Sequence, residues 1–212
     1  MTFASLRPLP AAHALTALRN GNDRFRTHAS SIGGPTSSER REALAEGQSP
    51  NAIVLSCSDS RVPSEIVFDC GLGDLFVVRV AGNVCAPSLV DSIEFAASTF
   101  GTELVVVMGH TNCGAIGATL DALTKSGRGE LSENIRDIVE RISPAVRPLL
   151  ARGLDPVELM HAATRANVLH TASHLRQGSR VLERLIGQGK LMVVGAEYSL
   201  TTGAVDFFDM PV

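Results

Sequence analysis

Four short aliphatic runs, at 52–57, 75–80, 104–108 and 191–194, are apolar without the alternation of a half-exposed strand. Strands of this kind have to be covered on both faces, and the stretches between them carry helical periodicity that supplies the cover. The pattern predicts an α/β fold: a central, mainly parallel sheet of four strands flanked by helices. After the last run, Thr202-Gly203 and the apolar residues at 204–208 predict a hairpin that adds an antiparallel fifth strand. Helices are expected at 89–100, 115–123, 132–142 and 156–177. The last of these opens on Asp155, Pro156 and Glu158, which serve as cap, first-turn proline and capping-box acid, and Gly178 stands where it ends.

Ahead of the first run, Ala11, Ala14, Leu15, Leu18 and Phe25 fall at helical spacing, and turn-forming residues follow from Ser30 to Pro35. Residues 1–34 therefore read as an N-terminal helical arm and linker within a single domain spanning 1–212. Ser37 or Ser38 is placed to cap a second helix reaching about residue 45, and residues 124–129 read as a polar surface loop. A chain of 212 residues, 44% hydrophobic, can bury one full-sized core. A formal net charge of -3 without long Lys/Arg runs argues against nucleic acid or an anionic membrane as partner. No apolar segment approaches membrane-spanning length, and Pro8, Pro10 and His13 interrupt any secretory h-region, so a cytoplasmic location is expected. Four cysteines are too few for a disulfide framework and suit a reducing compartment.

Two of those cysteines lie in motifs at strand ends. Cys57-Ser58-Asp59-Ser60-Arg61 follows the first run, and His110-Thr111-Asn112-Cys113 follows the third. Two thiolates and an imidazole are three zinc-type donors that leave a position free for catalysis, and open α/β folds place their sites at strand ends. Gly109 and Gly114 are expected to let the backbone turn closely around an ion. Asp59 and Arg61, two residues apart on what reads as an extended segment, share a face and suit a bidentate ion pair. So held, Asp59 could orient a metal-activated hydroxide; released, it could become a fourth ligand, which is also what a purely structural zinc site would require.

The remaining candidates have plainer readings. Cys70 and Cys85 read as buried small hydrophobes, and His170 and His174, four apart, lack the Glu of a metalloprotease helix. Arg136, Asp137, Glu140 and Arg141 read as a solvated helix face, and no phosphate-binding glycine motif follows a strand. Arg79, with Asp74 near the start of its strand, reads either as an ion pair fixing the sheet edge or as a residue of the site or of a subunit interface.

Cys57-Ser58-Asp59-Ser60-Arg61-Val62-Pro63, Gly73-Asp74-Leu75-Phe76-Val77-Val78-Arg79, Ala81-Gly82-Asn83 and Gly109-His110-Thr111-Asn112-Cys113-Gly114-Ala115 resemble, in order, the β-class carbonic anhydrases. The resemblance runs from the N-terminal helix, with Gly21-Asn22-Asp23-Arg24-Phe25, to Tyr198. It implies one Zn2+ per subunit on Cys57, His110 and Cys113, with Asp59 as a pH-dependent fourth ligand and Arg61 as its dyad partner. It further implies reversible hydration of carbon dioxide to bicarbonate and a proton by zinc-bound hydroxide. The N-terminal helix would extend onto a neighbouring subunit of a homodimer or homotetramer. The alternatives are a related zinc hydrolase acting on carbonyl sulfide or carbon disulfide, and a non-catalytic zinc-stabilised sensor. Some bacterial members also resemble one another in a bicarbonate pocket of Trp, Arg and Tyr. Arg79 and Tyr198 match it, but Val54 holds the Trp position and the chain has no Trp. Activity is expected to fall at mildly acidic pH as Asp59 binds zinc.

Overall fold

The computed structural model describes residues 7–30, 37–124 and 133–210. Strands β1 (Ala52–Ser56), β2 (Leu75–Arg79), β3 (Leu104–His110), β4 (Met192–Tyr198) and β5 (Val205–Asp209) form one sheet in the order β2-β1-β3-β4-β5. The first four are parallel and β5 runs antiparallel to β4. Every residue of β1 and β3 is buried, as unbroken apolar runs in central strands require.

Alternation along the strands sends neighbouring residues to opposite faces. On one face Ile53, Leu55, Val105, Val107 and Val193 meet α4 (Pro87–Thr99), α7 (Pro156–Gln177) and α8 (Arg180–Gly187) through Ile93, Ala96, Val168, Leu175 and Leu182. On the other, Ala52, Val54, Val106, Met108 and Val194 meet α1 (Ala11–Arg26) and α3 (Ser64–Val67) through Leu15, Leu18, Val67 and Phe68. A third apolar cluster lies around Cys57 and Cys113 and draws on α5 (Gly114–Thr124), α6 (Glu133–Val146) and α7.

The N-terminal helix is docked on its own protomer. Ala14, Leu15 and Leu18 are buried, and Asn22 ties the helix down by donating to the carbonyls of Val67 and Gly203 while accepting from Val205 N–H. Gly21 lies against the Phe68 carbonyl, where a Cβ has no room.

Elements beyond those expected are short. They are α3, α8 (capped by Ser179, which accepts from Leu182 N–H) and 3-10 turns at Ala81–Asn83 and Arg147–Arg152. Ser37 caps α2 (Ser38–Ala43), and the capping box of α7 forms with Asp155 and Glu158. Helix α6 runs past the expected end at 142 to Val146, through Pro144. Apart from Ser30 and Thr124, the turn at 30–35 and the polar loop at 124–129 fall outside the described residues. No described helix is long and apolar enough to cross a membrane.

Candidate metal centre

The sheet order fixes where a site can form. From β1 the chain crosses to β2 on one side and then returns to β3 on the other, so the crevice beyond the C-terminal ends of β1 and β3 is a topological switch point. Cys57 is the first residue after β1, His110 the last of β3, and Cys113 the residue before α5. The left-handed residue between them is Asn112 (φ 55°), a residue type that tolerates this conformation.

The three donor atoms lie within 4.8 Å of one another, and their residues are 5%, 0% and 2% exposed in chain order. The sulfurs are 4.0 Å apart. His110 Nδ1 sits 2.9 Å from the Thr111 carbonyl, which can only accept, so Nδ1 is the donor and Nε2 is the ring nitrogen left for a metal. Nε2 is buried without a hydrogen-bond partner among the described residues. Gly82 N–H donates to Cys57 Sγ at 3.3 Å, and the backbone of Ala115 and Ile116, in the first turn of α5, favours the Cys113 thiolate. Their mutual hydrogen bond lowers the pKa of the Cys57 thiol and raises that of the Cys113 thiol, with burial and the Cys57 charge adding to the rise.

Asp59 and Arg61 form the bidentate pair, at 2.9 Å from Nε and 2.7 Å from Nη2, but not on an extended segment. Val62 N–H donates to the Asp59 carbonyl, so 59–62 is a tight turn that also brings Arg61 N–H onto Asp59 Oδ1. The guanidinium holds the Asp59 carboxyl well below the usual carboxylate range. A depressed pKa means that its contribution to stability is fully present above about pH 3.9, the unfolded value, and is lost as pH falls below it. Asp59 is therefore ionised throughout the neutral range. Its Oδ2 is 3.8 Å from His110 Nε2, close to the donors but turned to Arg61.

Arg79 belongs to this site and not to an ion pair with Asp74. It donates to the carbonyls of Cys57 and Asp59, at 3.0 and 2.6 Å, and clamps the turn from β2. Asp74 is taken by Arg40 and by Gly71 N–H. Val54 is fully buried in the apolar cluster that also holds Tyr198, whose hydroxyl pKa is raised by burial.

The glycines flanking the motif act differently from the expectation. A Cβ on Gly114 meets nothing within 4 Å, whereas one on Gly109 would lie 2.7 Å from Val168 Cγ2 and 3.2 Å from Thr164 Cγ2. Gly109 lets α7 approach the sheet. Gly109→Ala is expected to cost about 1–3 kcal/mol of stability by overpacking, measured by urea unfolding. The close approach to the sulfur is made by Gly82 (φ 71°).

Elsewhere, Cys70 and Cys85 have thiol pKa values pushed up to about 12 by burial. Both His170 and His174 are exposed. Arg141 does more than face solvent: it pairs with Asp137 and donates to the Cys85 carbonyl, tying α6 to the chain before α4. Spacing alone gave no sign of the Gly82 contact or of Asn167, which donates to the Gly82 carbonyl from α7.

Residues 52–205 match the family described as carbonic anhydrase. A carbonic anhydrase of Mycolicibacterium smegmatis is 40% identical over 196 residues, covering 91% of this chain and 91% of that protein. Among solved structures, the β-carbonic anhydrase CafA of Aspergillus fumigatus is similar with a TM-score of 0.71 at 27% identity, covering 95% of this chain and 91% of that one. A structure from Sordaria macrospora, described as a tetrameric β-carbonic anhydrase, has the same fold, with a TM-score of 0.70 at 20% identity over 93% of this chain and 96% of that one.

Proposed function

The chain belongs to the β-class carbonic anhydrases of the bacterial type, and from that membership we propose that it hydrates carbon dioxide reversibly, to bicarbonate and a proton, at a zinc ion held by Cys57, His110 and Cys113. The donor set suits the ion. Two Zn–S bonds of ~2.3 Å at a tetrahedral angle span roughly 3.8 Å, and the sulfurs here are 4.0 Å apart. The His110 Nε2 lone pair, buried without a protein partner, is the third donor. Bound there, zinc supplies the Lewis acidity that brings water from a pKa of ~15.7 toward roughly 7.

The other residues orient and exclude. Asp59, kept ionised by Arg61, accepts a hydrogen bond from the attacking water and aims its lone pair. Arg79 fixes the carbonyls on either side of Ser58 and so the height of the Asp59 turn. Val84, Ile116 and Ile142 pack against Cys57 and Cys113, apolar surroundings suited to an uncharged substrate.

The observation that carries this reading is the bidentate grip of Arg61 on Asp59. It occupies both carboxylate oxygens and keeps the donor set at three, as a catalytic site requires and a closed structural site does not. Stopped-flow carbon dioxide hydration by the zinc-loaded protein, run beside sulfide release from carbonyl sulfide, tests it. Hydration is the expected result; sulfide release alone would assign the chain to the hydrolases, and neither product would favour a sensor.

Once Arg61 lets go, Asp59 is the carboxylate placed to close the site. Hydroxide, its competitor, becomes scarce as pH falls, so activity should drop at mildly acidic pH with Asp59 joining the donors. Metal-loaded crystals grown at about pH 6 and about pH 8.5 check this, and an unchanged site would contradict it. We assign a homodimer or homotetramer, in keeping with the tetrameric relative.

A further inference from the structure

A line of contacts separate from the Asp59–Arg61 pair reaches the candidate ligand Cys57 through Gly82. Helix α7 buries Asn167 to 1% exposure, and its Nδ2 donates to the Gly82 carbonyl at 2.8 Å. Gly82 in turn points its N–H at Cys57 Sγ, at 3.3 Å. Gly82 is left-handed (φ 71°, ψ 16°); the peptide that follows it is held by Asn83 N–H on the Val80 carbonyl, and Asn167 adds a second tether, from outside the segment, on the carbonyl of that same peptide. Ile142 Cδ1 and Ala115 Cβ stand 2.8 and 3.1 Å from where a Cβ would be, so position 82 has no room for a side chain. Helix α7 supplies the added tether. The position also carries a cost that packing does not explain, because Asn167 Oδ1 is buried without a partner and an apolar residue would avoid that loss.

We infer that Asn167 is a positioning residue: it holds Gly82 so that the N–H···S bond draws electron density from the Cys57 sulfur and tunes what that sulfur gives to the metal. This rests on Cys57 being a ligand, as proposed above. Two thiolates cancel the formal charge of the dication, and an N–H donor on one of them restores part of its Lewis acidity. Outer contacts to metal ligands commonly change activity or affinity by about 10–100-fold, and this one, a step further out, belongs at the lower end.

The test compares Asn167→Ala with Thr164→Val. Thr164 is another buried polar residue of the same helix, whose hydroxyl donates to the Met160 carbonyl. In cobalt-substituted protein, Asn167→Ala should move the thiolate-to-cobalt charge-transfer band to longer wavelength and lower kcat/KM about tenfold with metal retained, while Thr164→Val leaves the band in place. An unmoved band in folded Asn167→Ala, or an equal shift in Thr164→Val, overturns the inference. If Asn167→Ala does not fold, wild-type protein loaded with NMR-active cadmium decides. A scalar coupling between the Gly82 amide proton and the metal supports the relay, and its absence overturns it. Should the wild type bind neither zinc nor cobalt, the metal-centre reading itself fails, an outcome distinct from a metal-loaded, active wild type whose variant is spectrally unchanged.

Discussion

Asp59→Ala is expected to keep its zinc and lose about a hundredfold or more of kcat/KM for carbon dioxide hydration, the scale on which a positioned proton acceptor acts. None of the three proposed donors is removed, so metal content measured after dialysis should match the wild type. What disappears is the acceptor that aims the attacking water, together with the partner of Arg61, whose side chain is 55% exposed and can turn to solvent without penalty. Asp59→Asn refines the point. It nearly preserves shape, but its amide replaces one of the two acceptor oxygens with a donor and cannot serve the guanidinium fork and the water together, so it should lose most of the activity as alanine does. Arg61→Ala should behave differently. It frees an intact carboxylate 3.8 Å from His110 Nε2, and the activity that remains should be confined to higher pH, where hydroxide competes best. Full activity in Asp59→Ala with normal metal content would remove Asp59 from the mechanism.

What could be read from the sequence divides by how local its cause is. Unbroken aliphatic runs at β1 and β3 require cover on both faces, and that alone leads to a parallel sheet; the hairpin to β5 and the Asp155 capping box are equally local. The motifs after β1 and β3 were readable as one cluster because parallel strands that diverge at a switch point bring their ends together. Features set by contacts between distant segments left no periodic trace. Asn167 meets Gly82 across 85 positions, and Arg79 meets Cys57 across 22. Asp74, adjacent in sequence to the strand of Arg79, is claimed by Arg40 of α2. The Asp59–Arg61 spacing suits both a strand face and a tight turn, and the Val62 N–H bond to the Asp59 carbonyl selects the turn. Helix α8 did leave a local trace, with Leu182, Leu185 and Ile186 on one face behind the Ser179 cap, but at eight residues between α7 and β4 it is short enough to pass for a connection.

Cys113→Ser should lose the metal and activity together. A serine hydroxyl stays protonated at neutral pH and does not replace a thiolate, which leaves two donors in a position that needs three. After dialysis against a chelator, zinc content should fall well below that of the wild type, and hydration should drop to the uncatalysed rate. Stability supplies an independent readout. A ligand that binds only the folded state adds about 4.1 kcal/mol when its free concentration is a thousand times its Kd, so wild-type Tm should rise with added zinc and fall with chelator. In Cys113→Ser the Tm should ignore both, whereas in Asp59→Ala it should still respond. Cys85→Ser is the matched control: Cys85 is also buried, and its thiol donates to the Thr171 carbonyl with its pKa pushed up to about 12, so its loss should leave zinc binding untouched. Were Cys113→Ser to retain a zinc-dependent Tm and full activity, the three-donor centre at the ends of β1 and β3 would have to be abandoned, and the metal sought elsewhere in the chain.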